Sequence, residues 1–229
     1  MAESDHKQRL VAILAADAAG YSRLMATDDR ATVAALDAGR AIFRRHIDSL
    51  QGRVIDMAGD SVLAVFESAA GAAAAALAIQ KELDSSTGDV LKERRLRFRI
   101  GLHLGDIIEK PDGTVYGDGV NISARVQALA APGGICLTQQ VYDQVHDKFE
   151  AELVDLGQPE MKNIQLPIRV FRVVLPWERT SWPIVARLLS GMTQRGNRRR
   201  MLGALGVLVL GGLGWRLTRT DSHEPDKIS

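Results

Sequence analysis

The chain has 229 residues, 46% of them apolar and 25% charged, a balance that excludes both a disordered chain and a polytopic membrane protein. Its single cysteine, Cys136, excludes an intramolecular disulfide and a thiolate metal cluster. The formal charge of +1 divides unevenly: residues 1–176 carry 20 Lys+Arg against 24 Asp+Glu, giving −4, and residues 177–229 carry 9 against 4, giving +5. The front is a mildly acidic globule without the basic footprint of a nucleic-acid binder, and the back is a basic tail.

The first ten residues mix Glu3, Asp5, Lys7 and Arg9, and the apolar run at 11–16 is too short for a secretory h-region. The N-terminal domain is therefore expected in the cytoplasm. Residues 11–16 read as a buried strand ending at a carboxylate, Asp17. Thr27 is the expected cap of the next helix, which runs over 31–50 with Val33, Leu36, Ile42, Phe43, Ile47 and Leu50 at helical spacing and stops at Gly52. The β-rich runs 54–55 and 61–66 flank Ala58, Gly59 and Asp60, which predicts a hairpin with its tip near Gly59.

Residues 69–83 are alanine-rich, a helix whose small side chains allow close approach to a sheet. Residues 96–108 alternate as a long strand with Phe98, Ile100, Leu102 and Leu104 on one face. A loop with Pro111, Asp112 and Gly113 leads to a helix over 120–130, and 135–137 and 168–173 read as further strands. Strands alternating with helices around one hairpin predict a mixed or antiparallel sheet covered by helices on one side.

Residues 176–200 read as a basic linker. Residues 201–215 carry no charge, but fifteen is short of the roughly 20 apolar residues a spanning helix wants. Trp215 suits a membrane interface and Arg216 can snorkel, so 201–217 is expected to be a single transmembrane helix, with a polar tail at 218–229. Arg195, Arg198, Arg199 and Arg200 outnumber Arg216 and Arg219, which puts the N-terminal side in the cytoplasm of an inner-membrane protein. The soluble alternative is a buried core helix.

Asp17 ends the first strand and Asp60 lies at the hairpin tip. A right-handed strand–helix–strand crossover makes the second strand parallel to the first, so both carboxylates arrive at one end of the sheet. Two such acids form a hard-oxygen cage suited to Mg²⁺ or Mn²⁺. The same pattern also suits a cap at Asp17 and a turn residue at Asp60. Asn121 and Arg125, four apart, share a helix face; an amide and a guanidinium so placed can position a ribose and stabilise phosphorane charge, or merely open a helix and face solvent. His103 reads as a satisfied strand residue and Cys136 as core.

Four segments in order, ILAADAAGYS (13–22), AGDSVLAVF (58–66), RIGLHLGD (99–106) and VYGDGVNISAR (115–125), closely resemble the catalytic domain of the class III adenylate/guanylate cyclases. The resemblance spans roughly residues 8–174, within an expected domain 1–175. It implies an α+β, ferredoxin-like βαββαβ core with added C-terminal strands and helix, working as a head-to-tail homodimer with two sites across the interface. Asp17 and Asp60, with the backbone carbonyl of Ala18, would hold two Mg²⁺ or Mn²⁺. The ribose 3′-hydroxyl would attack the α-phosphorus and expel pyrophosphate, and Asn121 and Arg125 of the opposite protomer would serve the transition state. Lys162, in EMKN (160–163), matches a lysine for the terminal phosphates, with Asn163 replacing the commoner glycine.

The base-reading positions depart from the adenylate-forming pattern. Asp56 stands where a lysine usually donates to adenine N1, and Thr114 where many relatives carry an aspartate. A carboxylate accepts from guanine N1–H and its amino group, whereas threonine can donate or accept. The family favours ATP and Asp56 favours GTP. The alternative to an enzyme is a dimerising cyclase-homology module that binds nucleotide without turning it over.

Overall fold

The first strand, β1 (Lys7–Ala19), buries six residues in succession, Val11 to Ala16, as a strand covered on both faces must. It lies at the centre of a mixed sheet in a computed structural model that describes residues 7–86, 94–149, 151–164 and 166–177. The helix α1 (Tyr21–Thr27) and the longer α2 (Asp29–Ser49) lead to the hairpin of β2 (Gly52–Asp56) and β3 (Ser61–Phe66). The alanine-rich α3 (Ala69–Ser86) then returns the chain to β4 (Arg97–Glu109). These four strands lie antiparallel in the order β2-β3-β1-β4, the βαββαβ winding expected from the sequence, with two helices in the first crossover.

A short β5 (Val115–Tyr116) pairs the far end of β4 and feeds α4 (Asp118–Leu129). The sheet continues beyond β4 through β6 (Ile135–Thr138), which runs parallel to it, then β8 (Val170–Val174) and β7 (Glu152–Asp155). Between β6 and β7 lies α5 (Gln139–Val145).

Helices cover both faces of the sheet, where one covered face was expected. On one face Ala12, Leu14, Phe98 and Ile100 pack against α2 and α3, with Phe43 meeting Phe98 edge-to-face at 5.0 Å. On the other, α4 lies against β4. A Cβ at Gly101 would stand 2.2 Å from the backbone nitrogen of Gln127 and 2.5 Å from the carbonyl of Ser123, so the helix approaches that closely only over a glycine. The β4 residues facing α4 are Gly101, His103 and Gly105, which carry no apolar signal for a covering helix, and Ile13 of β1 lies under it at Gly119.

Two expected boundaries move. The cap of α2 is Asp28, whose carboxylate accepts from the Ala31 amide at 3.0 Å, whereas the Thr27 hydroxyl donates back to the Arg23 carbonyl. The chain leaves α2 through Gln51, at φ 60, and Gly52 already belongs to β2. Among the described residues no helix is long and apolar enough to cross a membrane. The candidate spanning segment 201–217, the linker from 178 onward and the tail 218–229 lie outside the described residues.

Candidate active site

The crossover brings Asp17 and Asp60 to one end of the sheet. Asp17 pairs with Ser61 across the β1–β3 ladder, and the Ala18 amide donates to the Asp60 carbonyl at 3.0 Å. Asp17 is three-quarters buried at the side chain and receives a guanidinium fork from β4: Arg99 Nε at 2.9 Å from Oδ1 and Nη2 at 2.5 Å from Oδ2. The Gln127 amide, arriving from α4, donates to Oδ1 at 2.5 Å. The Arg99 pKa is raised above its ordinary value, first by the hydrogen bond to Asp17 and further by the charges of Asp17 and Asp60, against the opposing effect of burial.

Neither Arg99 nor Gln127 stands out in the sequence, because a contact spanning 82 or 110 residues leaves no local spacing. Arg99 tests whether the site suits a metal. Arg99 rests on Asp17 within the field of Asp60, so this sheet end favours positive charge, and a divalent ion bound to Asp17 would have to displace that guanidinium from its oxygens. The remaining donors are oxygens, the set that hard divalent ions select. Among the described residues no group of three His, Cys, Asp or Glu side chains gathers as a metal cluster, at this sheet end or elsewhere, so Asp17 and Asp60 are a two-carboxylate set.

The other expected site residues point elsewhere within one chain. On α4, Gly119, Ser123, Val126 and Gln127 are buried against the sheet, whereas Asn121 and Arg125 are exposed on the opposite side of the helix. The face that reaches Asp17 is therefore not the face that carries the amide and the guanidinium. Asp56 is exposed at an irregularity in the β2–β3 ladder, paired with Leu63. Thr114 lies beyond the end of β4, where Glu109 pairs with Lys7; from there to Asp17 is about 33 Å of β1 at the usual rise per residue. The turn before Thr114 meets β2 through Arg53, which donates to the Gly113 carbonyl at 3.4 Å. Lys162 is exposed in a turn closed by Ile164 N to Met161 O at 3.1 Å. Asn163 takes φ 63 there, the left-handed conformation in which asparagine is the usual substitute for glycine.

His103 is 4% exposed, with Nδ1 3.1 Å from the Thr138 hydroxyl, and burial lowers its pKa to about 4 from an ordinary 6.5. The unfolded chain therefore binds a proton between pH 6.5 and pH 4 that the folded chain refuses. Stability held above pH 6.5 should be lost progressively toward pH 4, by up to about 3 kcal/mol. Thermal unfolding across that range measures the loss, and His103→Gln should flatten the slope relative to wild type. Cys136 is buried in the core, its thiol pushed up to about 12 by burial.

A family model described as the adenylate and guanylate cyclase catalytic domain matches residues 3–173. "Putative adenylate cyclase 3" of Rhizobium meliloti (strain 1021) is 40% identical over 172 residues, which cover 75% of this chain and 29% of that protein. An uncharacterized protein of Mycobacterium tuberculosis is 33% identical over 137 residues, 59% of this chain and 45% of its own length. The chain thus spans less than half the length of these curated relatives. The crystal structure of an adenylate/guanylate cyclase/hydrolase from Silicibacter pomeroyi superposes with a TM-score of 0.65 at 39% identity, over 73% of this chain and 98% of that one. The adenylyl cyclase CyaB from P. aeruginosa, at 19% identity and a TM-score of 0.63, shares the fold over 74% of this chain and 96% of its own. The mixed α+β sheet is the one on which cyclase catalytic domains are built. The chain belongs to the class III adenylate/guanylate cyclase family.

Proposed function

We propose that this chain is a purine-nucleotide cyclase that converts ATP, with GTP as the competing substrate, to the 3′,5′-cyclic nucleotide and pyrophosphate in intracellular signalling. The observation that carries the reading is the convergence of Asp17 and Asp60 at one sheet end. In this reading Asp17, Asp60 and the carbonyl of Ala18 hold two Mg²⁺ or Mn²⁺. Bound there, such ions supply acidity to the ribose 3′-hydroxyl and relieve charge at the α-phosphate.

The chain's own groups do the rest across a homodimer. Asn121 orients the ribose and Arg125 neutralises charge building on the phosphorane of the neighbouring chain's site. Their exposure on the side of α4 that faces away from Asp17 supports a shared site, since in one chain they cannot turn toward it. Lys162, on its exposed turn, takes the terminal phosphates.

Base choice rests on Asp56 and Thr114. The Rhizobium meliloti relative, by its name, speaks for adenine, whereas Asp56 accepts from guanine N1–H more readily than it tolerates unprotonated adenine N1. A mismatched polar group at the base edge costs about 1–3 kcal/mol, or roughly tenfold to a hundredfold in preference. The tether in this reading is 201–217 in the inner membrane, with the catalytic domain on the cytoplasmic side, which holds two domains in one plane and raises their effective concentration.

The deciding experiment separates products by chromatography after incubating the full chain with ATP or GTP and Mg²⁺ or Mn²⁺. Metal-dependent cyclic product and pyrophosphate in equal amounts are expected. Binding of a non-cyclisable analogue without product under any of these conditions would select the regulatory-module reading instead, which the unusual Asp56 and the Arg99-neutralised Asp17 favour.

A further inference from the structure

The loop carrying Asp60 has little of its own to hold it. Met57 to Asp60 join β2 to β3 through Gly59, at φ 57, and the exposed tip closes with one turn bond, Ser61 N to Ala58 O at 3.1 Å. Two holds come from outside: the Ala18 amide of β1 donates to the Asp60 carbonyl at 3.0 Å, and a side chain of α2 reaches the rest of the loop. Arg40, on α2, sends Nη2 to the Met57 carbonyl at 2.9 Å and to the Gly59 carbonyl as well. Its side chain is one-fifth exposed, and its Nε is buried without an acceptor among the described residues. Asp37, one turn earlier on α2, stands 3.8 Å from Nη1, too far for a hydrogen bond. A half-buried guanidinium that leaves Nε unsatisfied while Nη2 reaches two main-chain carbonyls, with only the looser ion pair to Asp37 besides, is committed to that loop.

We infer that Arg40 is a positioning residue: by gripping the carbonyls on either side of Ala58, it fixes the hairpin tip so that the Asp60 carboxylate is presented at the sheet end beside Asp17. The inference rests on the cyclase reading for the role of Asp60, though the grip itself does not. Charge and position make opposite forecasts. As a mere positive charge near a cation site, Arg40 repels metal, so its removal would tighten metal binding. As a positioning residue it holds a ligand in place, so its removal loosens binding.

Three full-length chains decide between them: wild type, Arg40→Met and Arg40→Lys. Amide hydrogen exchange, followed by mass spectrometry without metal, should run about tenfold faster over residues 57–61 in Arg40→Met, with β1, β4 and α3 unchanged; Arg40→Lys should recover much of the protection. Mn²⁺ binding, read by electron paramagnetic resonance with a non-cyclisable triphosphate analogue present, should weaken about tenfold in Arg40→Met and less in Arg40→Lys. Unaltered exchange at 57–61, or Mn²⁺ held as tightly as in wild type or more so, would overturn the role. Should Arg40→Met not fold, Arg40→Gln carries both measurements, and equality with wild type in both would overturn the role. Wild type that binds no Mn²⁺ sinks the cyclase reading and this inference with it. Failure of Arg40 alone is recognised by wild type that binds metal and turns over while the variants match it.

Discussion

Asp17→Asn should lower cyclase turnover about a thousandfold or more, on the scale of several kcal/mol of transition-state charge stabilisation supplied through a metal ligand. The substitution keeps the shape of the side chain and a partner for Gln127, so lost activity will not reflect a lost fold. It also removes the charge facing Arg99. Both side chains are under a third exposed, so the stability cost should be on the order of 1 kcal/mol, visible as a drop of a few degrees in Tm. Asp60→Asn should match it in turnover with a smaller Tm shift, because among the described residues its charge acts on Arg99 from a distance rather than through a hydrogen bond. Initial rates under Mn²⁺ and thermal unfolding of the same preparations measure both. Turnover within tenfold of wild type in either variant would remove the metal role from that residue.

The second large effect is recovery by mixing. Asp17→Asn and Arg125→Ala chains should each be inactive alone, yet their mixture should regain about a quarter of wild-type activity, since half the dimers would be mixed and each would hold one intact site. The forecast follows from α4, which turns Gln127 to its own Asp17 and Arg125 away from it. A site contained in one chain would give no recovery at any ratio. Asn121→Ala should substitute for Arg125→Ala in the mixture with the same result.

The convergence of Asp17 and Asp60 was legible because it follows from a rule of handedness applied to one crossover, and the hairpin tip at Gly59 because glycine between β-rich runs marks a turn. The α2 cap was misplaced by one residue because Thr27 and Asp28 are both good caps and only the geometry chooses Asp28. The α5 helix, at seven residues, and β7, at four, are too short to establish a period. The second covered face was hidden because α4 docks on Gly101, His103 and Gly105, a glycine-and-histidine stripe that looks like solvent-facing strand. Arg99, Gln127 and Arg40 were missed for one reason: each acts across a fold contact rather than along a segment, and a lone basic or amide residue looks like surface until its partner is known.

The twelve residues of α4 form a rod about 18 Å long with one tenant on each side. Below it Gln127 holds the Asp17 carboxylate; on the exposed side stand Asn121 and Arg125, which the proposed dimer assigns to a neighbour's site. With glycine beneath it at Gly101, the rod rests on backbone at that point, with Ile13 under Gly119 and Cys136 in the cluster around Val126. In the proposed dimer, α4 would therefore be the one element that touches both centres, so a displacement at Gln127 in one would be felt at Asn121 and Arg125 in the other.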